Sequence, residues 1–135
     1  MESRSAAGAQ ASAQPRAYIL VVEDELFIRM FVCDALRDEG YNVIEAFNGD
    51  EAADILKAGK IVDLVFSDVR MPGSLDGVGL LRFVNEHFAG LPVILASGHL
   101  DRSVAMAEGA IHLLVKPYRI GTVLDLIATE LVKPV

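Results

Sequence analysis

The sequence predicts an α/β domain in which a parallel sheet is covered by helices on both faces, a three-layer αβα sandwich in (βα)5 order. Short apolar runs alternate five times with amphipathic segments. The runs are continuous rather than alternating in polarity, as strands buried on both faces are. Four of them stop at a chemically capable residue: Glu23-Asp24 after Tyr18-Val22, Asp68 after Val62-Ser67, Ser97 after Val93-Ala96 and Lys116 after Ile111-Val115. Parallel strands bring their carboxyl ends to one edge, and open α/β sheets bind ligands outside that edge where the strand order reverses. Three carboxylates, a hydroxyl and an ammonium are therefore expected to converge on a pocket suited to a divalent cation and a phosphoryl group.

Tyr18-Val22 is the first strand. Ile28, Val32 and Leu36 recur at i, i+4 and i+8 with Gly40 as the stop, the pattern of an amphipathic helix. Tyr41-Phe47 reads as the second strand, and Asn48-Gly49 turns the chain into a short helix carrying Ala52, Ile55 and Leu56. The third strand ends at Asp68. Pro72, Gly73, Ser74 and Gly77 mark Met71-Gly77 as a loop, and Leu80, Leu81, Val84 and Phe88 mark the third helix. Pro92 opens the fourth strand, where its missing N–H matters least. A weak helix is expected at about Asp101-Glu108, then the fifth strand at Ile111-Val115. Val123, Leu124, Ile127 and Leu131 are the inward face of the last helix.

At 135 residues the chain is expected to form one domain over 17–135. Residues 1–16, rich in Ala, Ser, Gln and Gly and lacking a signal peptide's apolar core, read as a flexible leader of a cytoplasmic protein. A hydrophobic content of 53% and mean hydropathy of +0.39 are high, yet no apolar run reaches the length of a membrane span, so no membrane partner is expected. The net charge of -7, without a basic stripe, argues against direct nucleic-acid binding. Cys33 is alone, so neither a disulfide nor a cysteine metal site is available.

The residue types at the strand ends point to one chemistry. An aspartate is ionised at neutral pH and attacks a phosphoryl group without a general base. What Asp68 lacks is charge compensation, because carboxylates about 4 Å apart repel by roughly 4 kcal/mol at an effective dielectric of 20. Mg2+, a hard ion that prefers oxygen ligands and commonly bridges to phosphate, suits the set. Three carboxylates, Lys116 and Mg2+ sum formally to zero. A phosphoryl group then adds charge and oxygens for the Ser97 hydroxyl and the Lys116 ammonium to meet.

Glu23-Asp24-Glu25, Asp68-Val69-Arg70-Met71-Pro72, Asp76-Gly77, Ser97 and Lys116-Pro117-Tyr118 together resemble the receiver domain of two-component response regulators, from about Tyr18 to the C-terminus. The resemblance implies a flavodoxin-like fold with strand order 2-1-3-4-5. It implies that Asp68 accepts a phosphoryl group from a histidine kinase or histidine phosphotransfer protein. By the same resemblance Asp24 and Asp68 ligate Mg2+ directly, Glu23 through water, and Arg70 through its backbone carbonyl. Ser97 moves toward the phosphoryl oxygens, Lys116 pairs with the acceptor, and Lys116-Pro117 is cis. The output implied is a downstream protein partner or a phosphorelay, with the domain a monomer or a phosphorylation-linked dimer.

The sequence departs from the usual pattern in several places. The loop between Met71-Pro72 and Asp76-Gly77 is slightly longer, and the interval from Ser97 to Lys116 is shorter, so the fourth helix should be short or irregular. Leu113 stands where the family's fifth-strand switch aromatic usually lies. Pro92-His99 is similar to a subgroup of single-domain receivers lacking that aromatic, although Val93, Leu95 and His99 replace its aromatics. Arg70 and His99, each two residues beyond acceptor or serine, are expected to tune phosphoryl lifetime.

Duller readings compete with each assignment. Glu23-Asp24-Glu25 alone is equally the acidic first turn of a helix. Asp68 alone is a turn or helix cap before Met71-Pro72-Gly73, Ser97-Gly98 a turn, and Lys116 a solvated lysine. Asp76 orders its loop, and His87, His99 and His112 are surface or loop residues. Two rival functions follow: a Mg2+-dependent aspartyl-phosphate phosphohydrolase or phosphate sink, and a scaffold that never takes up phosphate. Haloacid-dehalogenase-like phosphatases need an aspartate where this chain has Arg70. A serine hydrolase built on Ser97 fails because Leu95 occupies the first glycine of Gly-x-Ser-x-Gly.

Overall fold

The computed structural model describes residues 16–98 and 112–132. Strands β1 (Tyr18–Val22), β2 (Asn42–Ala46), β3 (Leu64–Asp68), β4 (Val93–Ser97) and β5 (His112–Val115) alternate with helices α1 (Leu26–Asp38), α2 (Gly49–Lys57), α3 (Gly77–His87) and α4 (Ile120–Leu131). Residues 1–15 of the expected leader and the weak helix at 101–108 lie outside the described residues, as does His99. All strand pairs are parallel, in the order β2-β1-β3-β4-β5. Strand bounds differ from expectation by a residue or two. The third strand ends at Asp68 as expected, and Ser97, which follows the apolar run Val93-Ala96, is the last residue of β4.

The helix ends follow local chemistry. Asn48 caps α2 by accepting from Glu51 N at 2.8 Å, while the Glu51 carboxylate reaches back to Phe47 N at 2.8 Å, a variant of the capping box. Asp76, expected to order its loop, does so as the cap of α3, accepting from Gly79 N at 2.8 Å. Helix α1 stops at Gly40, whose φ of 95° lets Tyr41 N reach Leu36 O and Gly40 N reach Arg37 O. That paired closure is the Schellman ending, which favours glycine.

Two apolar clusters flank the sheet. On one face Leu20, Val22, Val65, Val93 and Leu95 pack with Ala52 and Leu56 of α2 and Leu80, Leu81 and Val84 of α3. On the other Ile19, Val21, Leu64, Phe66, Ile94 and Ala96 pack with Val32, Cys33 and Leu36 of α1 and Val123 and Ile127 of α4. The alternation along each strand thus divides residues between two cores, so no face is left for water. Among the described residues no helix is long and apolar enough to cross a membrane. The burial also pushes the Cys33 thiol up to about 12, with Glu45 adding to the effect, which leaves it inert.

Candidate functional site

Sheet register decides which side chains meet. Val22 is the partner of Ser67, so Glu23 follows β1 beside Asp68 at the end of β3. Asp68 is opposite Ala96, which puts Ser97 one step further along, and Ser97 is opposite Val115, so Lys116 follows beside it. The backbone continues the ladder there, with Glu23 N bonded to Ala46 O at 3.0 Å, Val69 N to Ala96 O at 2.9 Å and Lys116 N to Ser97 O at 2.8 Å. Because β1 sits between β2 and β3, the chain leaves it on one side and returns on the other. The crevice above β1 and β3 is the switch point at which α/β sheets bind ligands.

Carboxylate oxygens of Glu23, Asp24 and Asp68 lie within 4.8 Å of one another. Glu23, Asp68 and Ser97 are buried while Asp24 is open to solvent. Lys116 Nζ stands 3.0 Å from Asp68 Oδ1 and 3.7 Å from Glu23 Oε1. Asp68 Oδ1 also accepts from Val69 N at 3.1 Å, and Glu23 Oε2 from Glu25 N at 3.0 Å. The acidic run is not a helical first turn: it precedes α1, whose first turn carries no acid. Ser97 stands at the expected place on β4. Arg70 is exposed in the loop that follows Asp68.

The charges are frustrated. Burial raises the Asp68 carboxyl above its ordinary value, the Lys116 hydrogen bond and charge pull it back, and the Asp24 charge raises it again. Burial raises Glu23 as well, against the hydrogen bond from Glu25 N and with the Asp68 charge adding to the rise. For Lys116 burial pulls the ammonium down, but its bond to Asp68 and the charges of Asp68 and Glu23 outweigh this and hold it above 10.5. A single ammonium does not satisfy three carboxylates in so small a space, so the donor set fits a hard divalent cation.

Several contacts at the site were not read from the sequence, although Gly77 and Tyr118 stand in its motifs. Tyr118 packs edge-on to Phe66, with ring centroids 5.8 Å apart, and its phenol is pushed up to about 12 by burial and by the charges of Glu23 and Asp68. Arg29 Nη1 donates to Glu23 O at 2.8 Å, fixing the turn after β1. A Cβ on Gly77 would lie 2.2 Å from Asp68 O, so only glycine lets α3 start against the end of β3. The lysine-proline bond is cis, as the resemblance implied. His112 departs from expectation: it lies half-buried on β5, its Nε2 2.9 Å from Glu130 Oε2. Beside the site, Leu26, Phe27, Met30 and Phe31 of α1 are exposed, Phe27 by 78% and Phe31 by 60%. Phe27, Ile28 and Phe31 line a groove with Lys116, Pro117 and Tyr118. The signal for this patch was a helix with apolar residues at positions its core face does not use.

A doubly covered parallel sheet with an acidic switch-point crevice and a facing lysine defines a phosphate-signalling class of α/β protein. Residues 19–128 match the response regulator receiver domain, and the chain belongs to that family. It is 39% identical over 115 residues to response regulator protein FleR of Pseudomonas aeruginosa, covering 83% of this chain and 24% of FleR. It is 35% identical over 115 residues to the DNA-binding transcriptional regulator NtrC of Escherichia coli K12, again covering 83% of this chain and 24% of the relative. The chain therefore spans about a quarter of the length of these curated relatives. Among solved structures it resembles response regulator protein TrrA of Thermotoga maritima in complex with Mg2+ and BeF, at a TM-score of 0.76 and 28% identity, covering 84% of this chain and 98% of that one. Residues 19–128 thus form a two-component receiver domain with the flavodoxin-like fold. Receiver domains act as switches rather than as catalysts of turnover.

Proposed function

We propose that this domain takes up a phosphoryl group on Asp68 from a phosphohistidine of a histidine kinase or phosphotransfer protein and signals through the state so created. The observation that supports this most directly is the buried Asp68, 3.0 Å from Lys116 Nζ and inside a cluster of three carboxylates within 4.8 Å. Oδ1 of Asp68 is held by Val69 N and Lys116, which leaves Oδ2 to attack phosphorus. An O–P bond forms, the P–N bond to the histidine breaks, and the imidazole leaves with the electron pair and takes up a proton. Asp24 and Asp68 would hold Mg2+ directly, with Glu23 through water and the Arg70 carbonyl as a further ligand. Bound there, Mg2+ would neutralise charge on the carboxylates and on the transferring oxygens. Lys116, freed from a bare carboxylate, would pair with the phosphoryl oxygens, and Ser97 would donate its hydroxyl to them.

The exposed apolar face of α1 next to Lys116 and Tyr118 supports docking of the donor protein there. Its two phenylalanines alone leave on the order of 200–300 Å² of apolar surface, more than scattered surface residues need. Output runs through a downstream protein near β5 and α4 or through onward relay, with a monomer or a phosphorylation-linked dimer as the active state. The setting is the cytoplasm. These acidic residues do not themselves contact nucleic acid; NtrC is a DNA-binding regulator, but this chain matches only 24% of it. Slow autodephosphorylation, tuned by Arg70 and His99, ends the signal. Arg70 in place of an acid argues against the phosphohydrolase reading, and p-nitrophenyl phosphate should not be turned over. Incubation with acetyl phosphate and Mg2+ should add one phosphoryl group by intact mass, and Asp68→Asn should abolish it. An unchanged mass in the parent protein would remove the phosphoacceptor.

A further inference from the structure

The loop between β3 and α3 is tethered from an unexpected side. At its neck Gly77 N bonds to Val69 O at 2.7 Å, which closes the loop on itself. At its tip the carboxylate of Asp50, in the first turn of α2, accepts from Ser74 N at 2.9 Å and from the Ser74 hydroxyl, with a further backbone hydrogen bond from Leu75. These bonds to Ser74 hold the Asp50 carboxyl below its ordinary value. The fit is close: a Cβ on Gly73 would lie 2.7 Å from Asp50 Oδ2, and one on Gly49 would lie 2.4 Å from Leu75 O.

We propose that Asp50 is a positioning residue for the acceptor site, holding the Gly73-Ser74-Leu75 turn so that the backbone at Arg70 is presented to the divalent cation. The inference rests on the receiver reading given above. Between the neck at Val69 and the tether at Ser74 stand only Arg70, Met71, Pro72 and Gly73. Met71 is buried in the α2 and α3 core, and the Pro72 ring restricts its own φ. With both ends and the middle held, the Arg70 peptide has little freedom. Without the Asp50 bonds the tip is a glycine-containing surface turn, one that the longer loop would leave looser. Outer partners of this kind orient the groups that touch a metal, and their loss commonly weakens metal binding.

Mg2+ titration of the unphosphorylated full chain by calorimetry, paired with hydrogen exchange at residues 73–75, tests this. Asp50→Ala should weaken Mg2+ binding by about 10-fold and speed exchange in the turn. Asp50→Asn keeps an accepting oxygen and should stay within about twofold of the parent, while Ser74→Ala, which retains the backbone donors, should lose about threefold. Equal weakening in Asp50→Asn and Asp50→Ala would show a distant charge effect and overturn the proposal. So would faster exchange with unchanged Mg2+ affinity. Should Asp50→Ala fail to fold, Ser74→Ala decides, and parent-like affinity in it overturns the proposal. A parent protein that ignores Mg2+ overturns the receiver reading and this inference together; a parent that binds beside an unaffected Asp50→Ala overturns this inference alone.

Discussion

Replacing the proposed acceptor by its neutral isostere, Asp68→Asn, should make the metal-free protein more stable at neutral pH. At up to 4.8 Å, each of the two carboxylates beside Asp68 repels it by about 3.5 kcal/mol at an effective dielectric of 20, roughly 7 kcal/mol together. Lys116 at 3.0 Å returns about 5.5 kcal/mol on the same scale. The difference of about 1.5 kcal/mol shrinks because Asp24 is solvent-screened and grows because a buried carboxylate loses hydration, so a gain of about 1–2 kcal/mol is expected. Asparagine keeps an oxygen for Val69 N and Lys116, so the polar contacts survive. The sign with pH is set by the raised carboxyl of Asp68: a group whose folded value exceeds its unfolded value costs stability as pH rises from 3.8 through the folded value. The advantage of Asp68→Asn should therefore be larger at neutral pH than in acid and fade as pH falls toward 3.8. Urea titrations of parent and variant at several pH values without Mg2+, repeated with millimolar Mg2+, measure it. In Mg2+ the gap should narrow or reverse, because the cation relieves the parent's repulsion. A variant less stable than the parent at pH 7 without Mg2+ would refute the claim that the bare site is electrostatically strained.

Lys116→Ala removes the ammonium that faces Asp68 and Glu23, so the metal-free protein should lose stability near pH 7 while Mg2+ binds more tightly, by about 10-fold. Calorimetric titration reads this, and weaker binding would contradict the charge balance argued for the site. Gly77→Ala should destabilise by about 2 kcal/mol, seen as a lower urea midpoint, since the added Cβ meets the backbone of Asp68 and Val69 rather than a flexible side chain. A neutral result there would mean that α3 does not abut the end of the acceptor strand.

Much of the fold was legible because its strands are buried on both faces and read as unbroken apolar runs. Of the inward residues expected of the helices, Val32, Leu36, Leu80, Val84, Val123 and Ile127 are buried, while Ile28, Ile55, Phe88, Leu124 and Leu131 are partly buried. The members of the site were legible too, as acids, serine and lysine at strand ends, because parallel strands share a carboxyl edge. What could not be read was anything that depends on two distant segments touching through small or polar groups. Gly77 under the Asp68 carbonyl, Arg29 on the Glu23 carbonyl, the Asp50 tether and the His112 pair with Glu130 leave no periodic trace in the chain. The expectation of His112 as a surface or loop residue missed its partner for that reason.

Hydrophobic pattern acts within a few residues, so the order of the amino acids alone determined the kind and succession of elements and which side chains crown each strand. Register is a relation between strands, and it is register that sets Glu23 beside Asp68 and raises Lys116 to 3.0 Å from the acceptor oxygen. Distance, burial and the resulting shifts in ionisation arise only once the sheet is assembled, because a carboxylate's energy depends on neighbours that the chain brings from far away.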